Sequence, residues 1–147
     1  MNNCIFCDNP DVMARSVVRE ELVWAFPTNI PIVPGHVLIA PVRHVSIVDE
    51  LSDAEWSAIK NSIQRLKVVL TKLYGAEGYN VAWNEGELAG QSVPHMHVHL
   101  LPRKTGDTGI TEYEPRKFLY RPGSREITPE AELAVITQEI KHAFENT

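Results

Sequence analysis

Three histidines, His95, His97 and His99, occupy alternate positions in the segment GQSVPHMHVHLLPRK, residues 90–104. Side chains two apart in an extended chain share a face and lie about 7 Å from one another, so we expect the three imidazoles to face one space. A solvated face usually draws on Lys, Glu, Thr and Ser. Half of the chain's six histidines lie within these five residues, which indicates a site with a chemical role.

Two kinds of chemistry use such a row of imidazoles. Three histidines can bind one catalytic zinc and leave a fourth position open for water. Alternatively, one histidine attacks an electrophilic centre while another binds or protonates the substrate, with no metal at the reacting atom. The preceding Gly90, Gln91 and Ser92 favour phosphorus chemistry, because glycine allows close backbone approach and the other two offer donors to phosphate oxygens.

Five strands are predicted to position this row. Residues rich in β-branched and aromatic types predict a hairpin, an apolar run predicts a third strand, and alternation predicts the fourth and the histidine-bearing fifth. The first four segments are MARSVVRE, ELVWAFP, HVLIAPV (residues 36–42) and YNVAWN (residues 79–84).

Two helices complete the expected fold. Ser52 and Glu55 form a capping box that predicts the start of a long helix, and Gly75 predicts its end. Its expected apolar stripe is Trp56, Ile59, Ile63, Leu66, Leu70 and Leu73. Thr128 and Pro129 predict the start of a C-terminal helix over residues 128–145, after an irregular segment at 102–127. These elements predict an α+β domain with a largely antiparallel sheet.

Composition limits the classes of partner. A chain of 147 residues with 44% hydrophobic residues fits a single domain over residues 1–147, and its net charge of −5 argues against binding a nucleic-acid polymer. The most apolar stretch, IPIVPGHVLIAPV, is interrupted by prolines, a glycine and a histidine, so we expect no signal peptide, no membrane span and no membrane partner. Two cysteines are too few for a disulfide scaffold, and we expect a cytoplasmic location.

The segment from Gly90 to Val93, followed by the three histidines, resembles the signature of the histidine triad (HIT) superfamily of nucleotide hydrolases and transferases. The resemblance runs from CIFC through PIVPGHVLIAPVRH and NEGELAGQS to LPRKTGD, and the last segment is closer to the diadenosine polyphosphate hydrolases. It implies a HIT-like fold and a homodimer. It also implies attack on the α-phosphate of a dinucleoside polyphosphate or nucleoside phosphoramidate through a covalent nucleotidyl-histidine.

The resemblance also implies roles for individual residues. His97 matches the nucleophile, His99 and His36 match phosphate-site groups, and Ser92 matches a residue that helps to protonate the leaving group. The implied nucleotide-binding set is Asn84, Gly90, Gln91, Ser92, Val93, His97, His99, Thr28 and Asn29. Related sequences carry Asp or Asn for the ribose eight residues before the histidine of PGH. Here that position is Thr28, so Thr28, Asn29 or neither contacts ribose.

Cys4 and Cys7 have the spacing that lets two thiolates reach one ion. One interpretation is a thioredoxin-like redox pair, which would want a preceding strand, and three residues precede Cys4. A structural zinc needs two histidines as well, and spacing alone leaves five candidates. In CxxC-bearing branches of the resembled family the ligands correspond to His44 and His95, which implies a zinc-binding N-terminal arm at residues 1–10.

Two functional hypotheses follow. The first is a nucleotidyl hydrolase or transferase whose acceptor is water or another group. The second is a nucleotide-binding regulatory module in which hydrolysis is incidental. Formation of a covalent adduct at His97 distinguishes an enzyme from a module that only binds.

Overall fold

The computed structural model describes residues 3–107 and, towards the C-terminus, residues 129, 131, 132, 134, 135, 138 and 141. The chain forms two compact units, residues 1–111 and 112–147. In the second unit the described residues from 131 to 141 are helical, within the C-terminal helix predicted over 128–145. Thr128, the predicted cap, and residues 108–127 of the predicted irregular segment lie outside the described residues.

The first unit is built on a five-stranded sheet. Its strands are β1 (Val18–Arg19), β2 (Val23–Pro27), β3 (Val37–Pro41), β4 (Gly78–Ala82) and β5 (Val98–Arg103), in the order β1-β2-β3-β5-β4. Every neighbouring pair is antiparallel, which confirms the α+β class and the largely antiparallel sheet. Strand β5 lies between β3 and β4, so it is paired on both sides.

The long helix, α3 (Asp53–Tyr74), has both predicted ends. Ser52 accepts a hydrogen bond from the Glu55 N–H at 3.1 Å, and the Glu55 carboxylate accepts from the Ser52 N–H at 2.9 Å. Gly75 ends the helix in the left-handed conformation, with φ of 66°. No helix among the described residues has the length and apolar character needed to cross a membrane.

The buried face of α3 is narrower than the predicted stripe. Glu55, Ile59, Ser62, Leu66 and Leu70 are buried, whereas the predicted Trp56 and Leu73 are 40% and 68% exposed. These two are wrong for different reasons. Trp56 lies about 100° round the helix from buried Glu55, at the margin of the buried face, whereas Leu73 points in nearly the same direction as Leu66 but lies in the last turn of the helix.

Two short helices, α1 (Ile5–Asp8) and α2 (Pro10–Ala14), precede the sheet. The predicted first strand began at Met13, which is instead helical. Asn9 explains the difference, because its Oδ1 accepts from the N–H groups of Asp11 and Val12 at 2.9 and 3.2 Å and starts α2.

The sheet is covered on both faces, and alternation along the strands separates two apolar clusters. One contains α3 residues and every second strand residue, including Ala25 and Ile39. The other contains the N-terminal arm and the residues between, with Phe6 and Val12 packed against Trp24, Phe26 and Leu38. The N-terminal arm is therefore a covering layer of the sheet.

The histidine row is less regular than predicted. Strand β5 begins at Val98, so His99 is the one member of the row that lies in a strand. The segment before β5 bonds to a loop and not to a strand: the Met96 N–H donates to the carbonyl of Val45, in the loop after β3, at 2.7 Å.

Candidate functional site

The three histidines lie on one side of the sheet, as alternation predicts. Met96, Val98 and Leu100 alternate with them and belong to the cluster that contains the α3 residues. His95 Nδ1 lies 3.5 Å from Sγ of both Cys4 and Cys7. The rings of His97 and His99 lie 4.9 Å apart, centroid to centroid. The Phe6 ring packs against His95 and His97 at 5.7 and 5.1 Å, in both cases edge to face. The row therefore serves two adjacent sites that share Phe6 as a neighbour.

The first site is a Cys₂His₂ cluster. The ligand atoms of Cys4, Cys7, His44 and His95 all lie within 4.8 Å of one another, which brings together the four metal ligands implied by the resemblance. The Cys7 Sγ to His44 Nδ1 distance is 3.5 Å, the same as the two distances to His95. A tetrahedral zinc with ordinary bond lengths separates its sulfur and nitrogen ligands by about 3.5 Å, so the cluster fits this ion.

Hydrogen bonding and charge also suit a cation in this cluster. The Pro41 carbonyl accepts from His95 Nε2–H at 2.8 Å, so the lone pair of the neutral ring is on Nδ1, which faces the cysteines. Burial and the neighbouring Cys4 raise the pKa of the Cys7 thiol to about 11. A bound cation would reverse this effect and stabilise the thiolates.

The second site is centred on His97, which is buried. Its Nδ1–H donates to the backbone carbonyl of His95 at 2.7 Å. A carbonyl can only accept, so in the neutral ring Nε2 carries the free lone pair. Burial lowers the pKa of His97 below its ordinary value, which keeps the ring neutral at pH 7. His97 is thus oriented and protonated as a nucleophile requires.

His36 and His99 form a hydrogen-bonded relay beside it. The Ile32 N–H donates to His36 Nδ1 at 3.1 Å, which leaves the proton of neutral His36 on Nε2. That nitrogen lies 3.0 Å from His99 Nδ1, so the proton of neutral His99 is on Nε2. Burial, followed by the charge of His97, lowers the pKa of both rings to about 4. The relay therefore fixes a proton donor on His99, next to the nucleophile.

The glycine that precedes His36 holds the turn in place. Gly35 has φ of 86°, and a Cβ there would lie 2.8 Å from the Tyr74 ring and 2.9 Å from Pro102. A side chain at this position would be strained and would also displace the turn that carries His36.

Side-chain amides stabilise the glycine-rich loop before the histidine row. Gln91 Oε1 accepts from the Gly86 N–H, and its Nε2 donates to the Ser46 carbonyl, both at 2.8 Å. Asn84 Nδ2 lies 3.4 Å from the carbonyl of Gly90, which has φ of 93°. The side chain of Gln91 therefore stabilises the loop through two hydrogen bonds. Its contact with phosphate, which the resemblance implies, stays a prediction.

Two further members of the predicted set flank this loop. Ser92 is exposed, and its hydroxyl has no hydrogen-bond partner among the described residues. Val93 is half-buried and packs against the cluster that contains Phe6 and Leu38. Ser92 is thus accessible to a ligand, whereas the side chain of Val93 contributes to packing.

A pocket of about 220 Å³ is lined in part by Phe6, the ring that also contacts His97. Thr28 and Asn29, the two candidates for ribose contact, both line it. Thr28 Oγ1 accepts from the Ile30 N–H at 3.3 Å, and Asn29 is exposed. The other lining residues are Ile5, Val12, Phe26 and Leu38, with the polar Asn9, Asp11 and Arg15.

Sequence reasoning missed this pocket because Phe6 and Phe26 look like core residues. Both are indeed buried, and their rings pack edge to face at 5.1 Å. One signal was present, the cap and first-turn pattern of Asn9 and Pro10, which predicts α2 and turns Asp11 and Arg15 towards one side.

Comparison with known proteins gives a consistent family assignment. A model of the HIT domain matches residues 9–106. An uncharacterized HIT-like protein of Methanocaldococcus jannaschii is 38% identical over 112 residues, which cover 75% of this chain and 86% of that one. A bis(5′-adenosyl)-triphosphatase of Dictyostelium discoideum is 32% identical over 85% of this chain and 82% of its own. An adenosine 5′-monophosphoramidase of Schizosaccharomyces pombe is 33% identical over 74% and 80%, respectively.

Solved structures agree. A histidine triad nucleotide-binding protein from Candida albicans superposes with a TM-score of 0.74 at 28% identity, covering 98% of this chain and 99% of that one. A zinc-bound histidine triad family protein from Mycobacterium smegmatis gives a TM-score of 0.64 at 26% identity, covering 77% and 84%. The fold therefore rests on independent comparisons, and one of these two structures holds zinc.

Proposed function

The chain belongs to the HIT domain family, and on that premise we propose that it is a nucleotide hydrolase whose nucleophile is His97. The relatives named as a bis(5′-adenosyl)-triphosphatase and an adenosine 5′-monophosphoramidase support dinucleoside polyphosphates or nucleoside phosphoramidates as the substrate class. The observation that carries the proposal is the Nδ1–H bond from His97 to the His95 carbonyl, which leaves Nε2 free to attack.

The reaction proceeds in two displacements. His97 Nε2 attacks the α-phosphorus, and the bond from phosphorus to the bridging oxygen or nitrogen breaks, so that the leaving group departs with its electron pair. Ser92 donates the proton that the leaving group acquires. Water then attacks the phosphorus, gives one proton to the Ser92 alkoxide and breaks the bond from phosphorus to Nε2, which releases the nucleoside monophosphate and restores neutral His97 and Ser92. His99, through Nε2–H, stabilises the charge on the phosphate oxygens in both steps.

The nucleotide-binding roles follow the position of each group. Asn84, Gly90 and Gln91 shape the loop that meets the phosphate or leaving group, next to exposed Ser92. Thr28 and Asn29 lie at the nucleoside side, in the pocket bounded by Phe6. His36 acts through the relay and positions His99 without contacting the substrate itself.

The metal belongs to the scaffold in this proposal. Zinc held by Cys4, Cys7, His44 and His95 would have all four positions filled by protein, as in structural sites, and it would supply folding energy to the N-terminal arm. All chemistry at phosphorus is left to His97 and its neighbours.

Intact-protein mass after rapid mixing with a nucleoside phosphoramidate tests the proposal. We expect a transient mass increase equal to one nucleotide, located on the peptide that contains His97 and absent in His97→Gly. The control Arg65→Gln, at an exposed ion pair with Glu20, should keep the adduct. Nucleotide binding by the wild type without any adduct would favour the regulatory module.

We also propose a homodimer and a cytoplasmic location. Strand β4 is an edge strand of the sheet formed by the described residues, and Val81 and Trp83 are 42% and 40% exposed there, with Trp56 packed against Trp83 at 5.8 Å. Apolar groups of this size at an edge favour pairing with a second copy. Reduced cysteines in the metal cluster fit a cytoplasmic setting. Sedimentation at micromolar concentration should give the mass of two chains, and Trp83→Arg should give one.

A further inference from the structure

The pocket lined by Phe6 contains two polar side chains that the proposed reaction does not use, exposed Asp11 and half-buried Arg15. Arg15 and Asp11 both line it, together with the aromatic rings of Phe6 and Phe26. The two lie four residues apart across helix α2, which places them on the same side. Flat aromatic walls suit a planar base, so the polar pair lies where it can contact the edge of that base.

Arg15 has an unmet hydrogen-bonding requirement. Its Nε is buried, and no acceptor within the described residues bonds to it. A buried guanidinium N–H without a partner is costly, which indicates that a ligand supplies the acceptor. Asp11 does not relieve it, since the ion pairs within the described part of the chain do not include one between these two residues.

We propose that Arg15 and Asp11 make this pocket select guanine over adenine, an inference that rests on the proposed nucleotide hydrolysis. A guanidinium only donates, and guanine offers it two adjacent acceptors, O6 and N7. A carboxylate only accepts, and guanine offers it the N1–H and the 2-amino group.

Adenine mismatches both groups. It keeps N7 as an acceptor for the arginine but replaces O6 by an amino donor, and it presents an unprotonated N1 to the carboxylate, so one hydrogen bond at each group is replaced by two donors or two acceptors. Two of the relatives are named for adenosine substrates, whereas this chain would prefer guanosine. The difference is attributed to residues 11 and 15 of this chain.

Binding and turnover of matched nucleotides test the inference. We measure the dissociation constants of GMP and AMP by calorimetry, and kcat/KM for guanosine and adenosine 5′-phosphoramidate. The wild type should favour guanosine by about tenfold or more, as expected for one two-point contact between arginine and guanine. Arg15→Met should remove that preference mainly through KM for the guanosine substrate, and adenosine should change by less than about threefold. Arg65→Met is the matched control and should keep the preference.

Two further variants separate a contact with the base from a general effect. Arg15→Lys keeps the charge but loses the planar guanidinium. The logarithm of its preference for guanosine should therefore lie closer to that of Arg15→Met than to that of the wild type. Asp11→Asn should weaken GMP more than IMP, because IMP lacks the 2-amino group. Circular dichroism melting checks that each variant is folded.

Each result bears on one proposal. Equal affinity for GMP and AMP in the wild type, or an equal loss for both in Arg15→Met, overturns the inference even when hydrolysis occurs. A preference for GMP that depends on Arg15 without any adduct or turnover supports the inference and overturns the proposed hydrolysis.

Discussion

Acidification should destabilise the first unit through His36, and the variant His36→Asn should remove much of that effect. His36 is 3% exposed, its Nδ1 accepts from the Ile32 N–H, and its Nε2–H donates to His99. Protonation would place a second donor opposite the Ile32 N–H and charge a buried ring. Burial, with a smaller contribution from His97, therefore lowers the pKa of His36 to about 4.

The sign and size follow from proton linkage. The folded pKa of about 4 lies below the ordinary value of 6.5, so between these pH values the unfolded chain binds more protons than the folded chain. The stabilisation is fully present above pH 6.5 and is lost as the pH falls towards 4. Linkage gives a loss of about 2 kcal/mol in the free energy of unfolding between pH 7 and pH 5 from this one group.

Urea denaturation at pH 7 and pH 5 measures the effect for the wild type and for His36→Asn. Asparagine can still accept from the Ile32 N–H but does not titrate, so its loss over this interval should be smaller by about 2 kcal/mol. Contributions from groups that do not contact His36 cancel in the difference between the two proteins. Lys60→Gln, at an exposed position of α3, should behave as the wild type. An identical pH dependence for wild type and His36→Asn would refute the assignment of His36 as a buried neutral ring.

Three other changes have defined outcomes. Glu55→Ala removes the capping box and the two hydrogen bonds from Arg43 at 2.8 and 2.9 Å, so urea denaturation should show a loss of about 2 kcal/mol, and a change below about 0.5 would contradict this. Gly35→Ala forces an unfavourable φ and a contact with Tyr74, so it should cost about 1–3 kcal/mol in the same assay and slow adduct formation; unchanged adduct kinetics would oppose the role of this turn. Cys4→Ser should reduce bound zinc well below about one equivalent by metal analysis and lower Tm more than turnover per folded molecule, whereas full zinc retention would argue against the cluster.

The sequence predicts elements well where the signal is local. Ser52, Glu55 and Gly75 define the ends of α3 because caps depend on neighbours a few residues away. The stripe of α3 was predicted too wide, because periodicity gives the direction of the buried face but not the width of the surface that covers it. Trp56, at 40% exposure, is the clearest example.

The candidate site shows where local reasoning ends. Alternation correctly predicted one face for the histidine row, but alternation alone does not divide that face into two sites. The division arises because His95 contacts Cys4 and Cys7, ninety or so positions away in the chain. The pocket has the same origin, because Arg15 and Asn29 are brought together only when the N-terminal arm lies on the sheet. Contacts of this range are set by packing and leave no periodic trace in the sequence.

One residue serves two centres through its two chemically distinct parts. The imidazole of His95 belongs to the cysteine cluster, while its backbone oxygen holds the His97 ring. A change of side chain at position 95 spares that oxygen, but a single inserted or deleted residue between 95 and 97 would rotate it away. The orientation of the His97 ring should consequently survive a substitution at position 95, although the metal cluster loses a ligand. It should not survive a change of length between 95 and 97, whereas surface loops usually tolerate insertions and deletions.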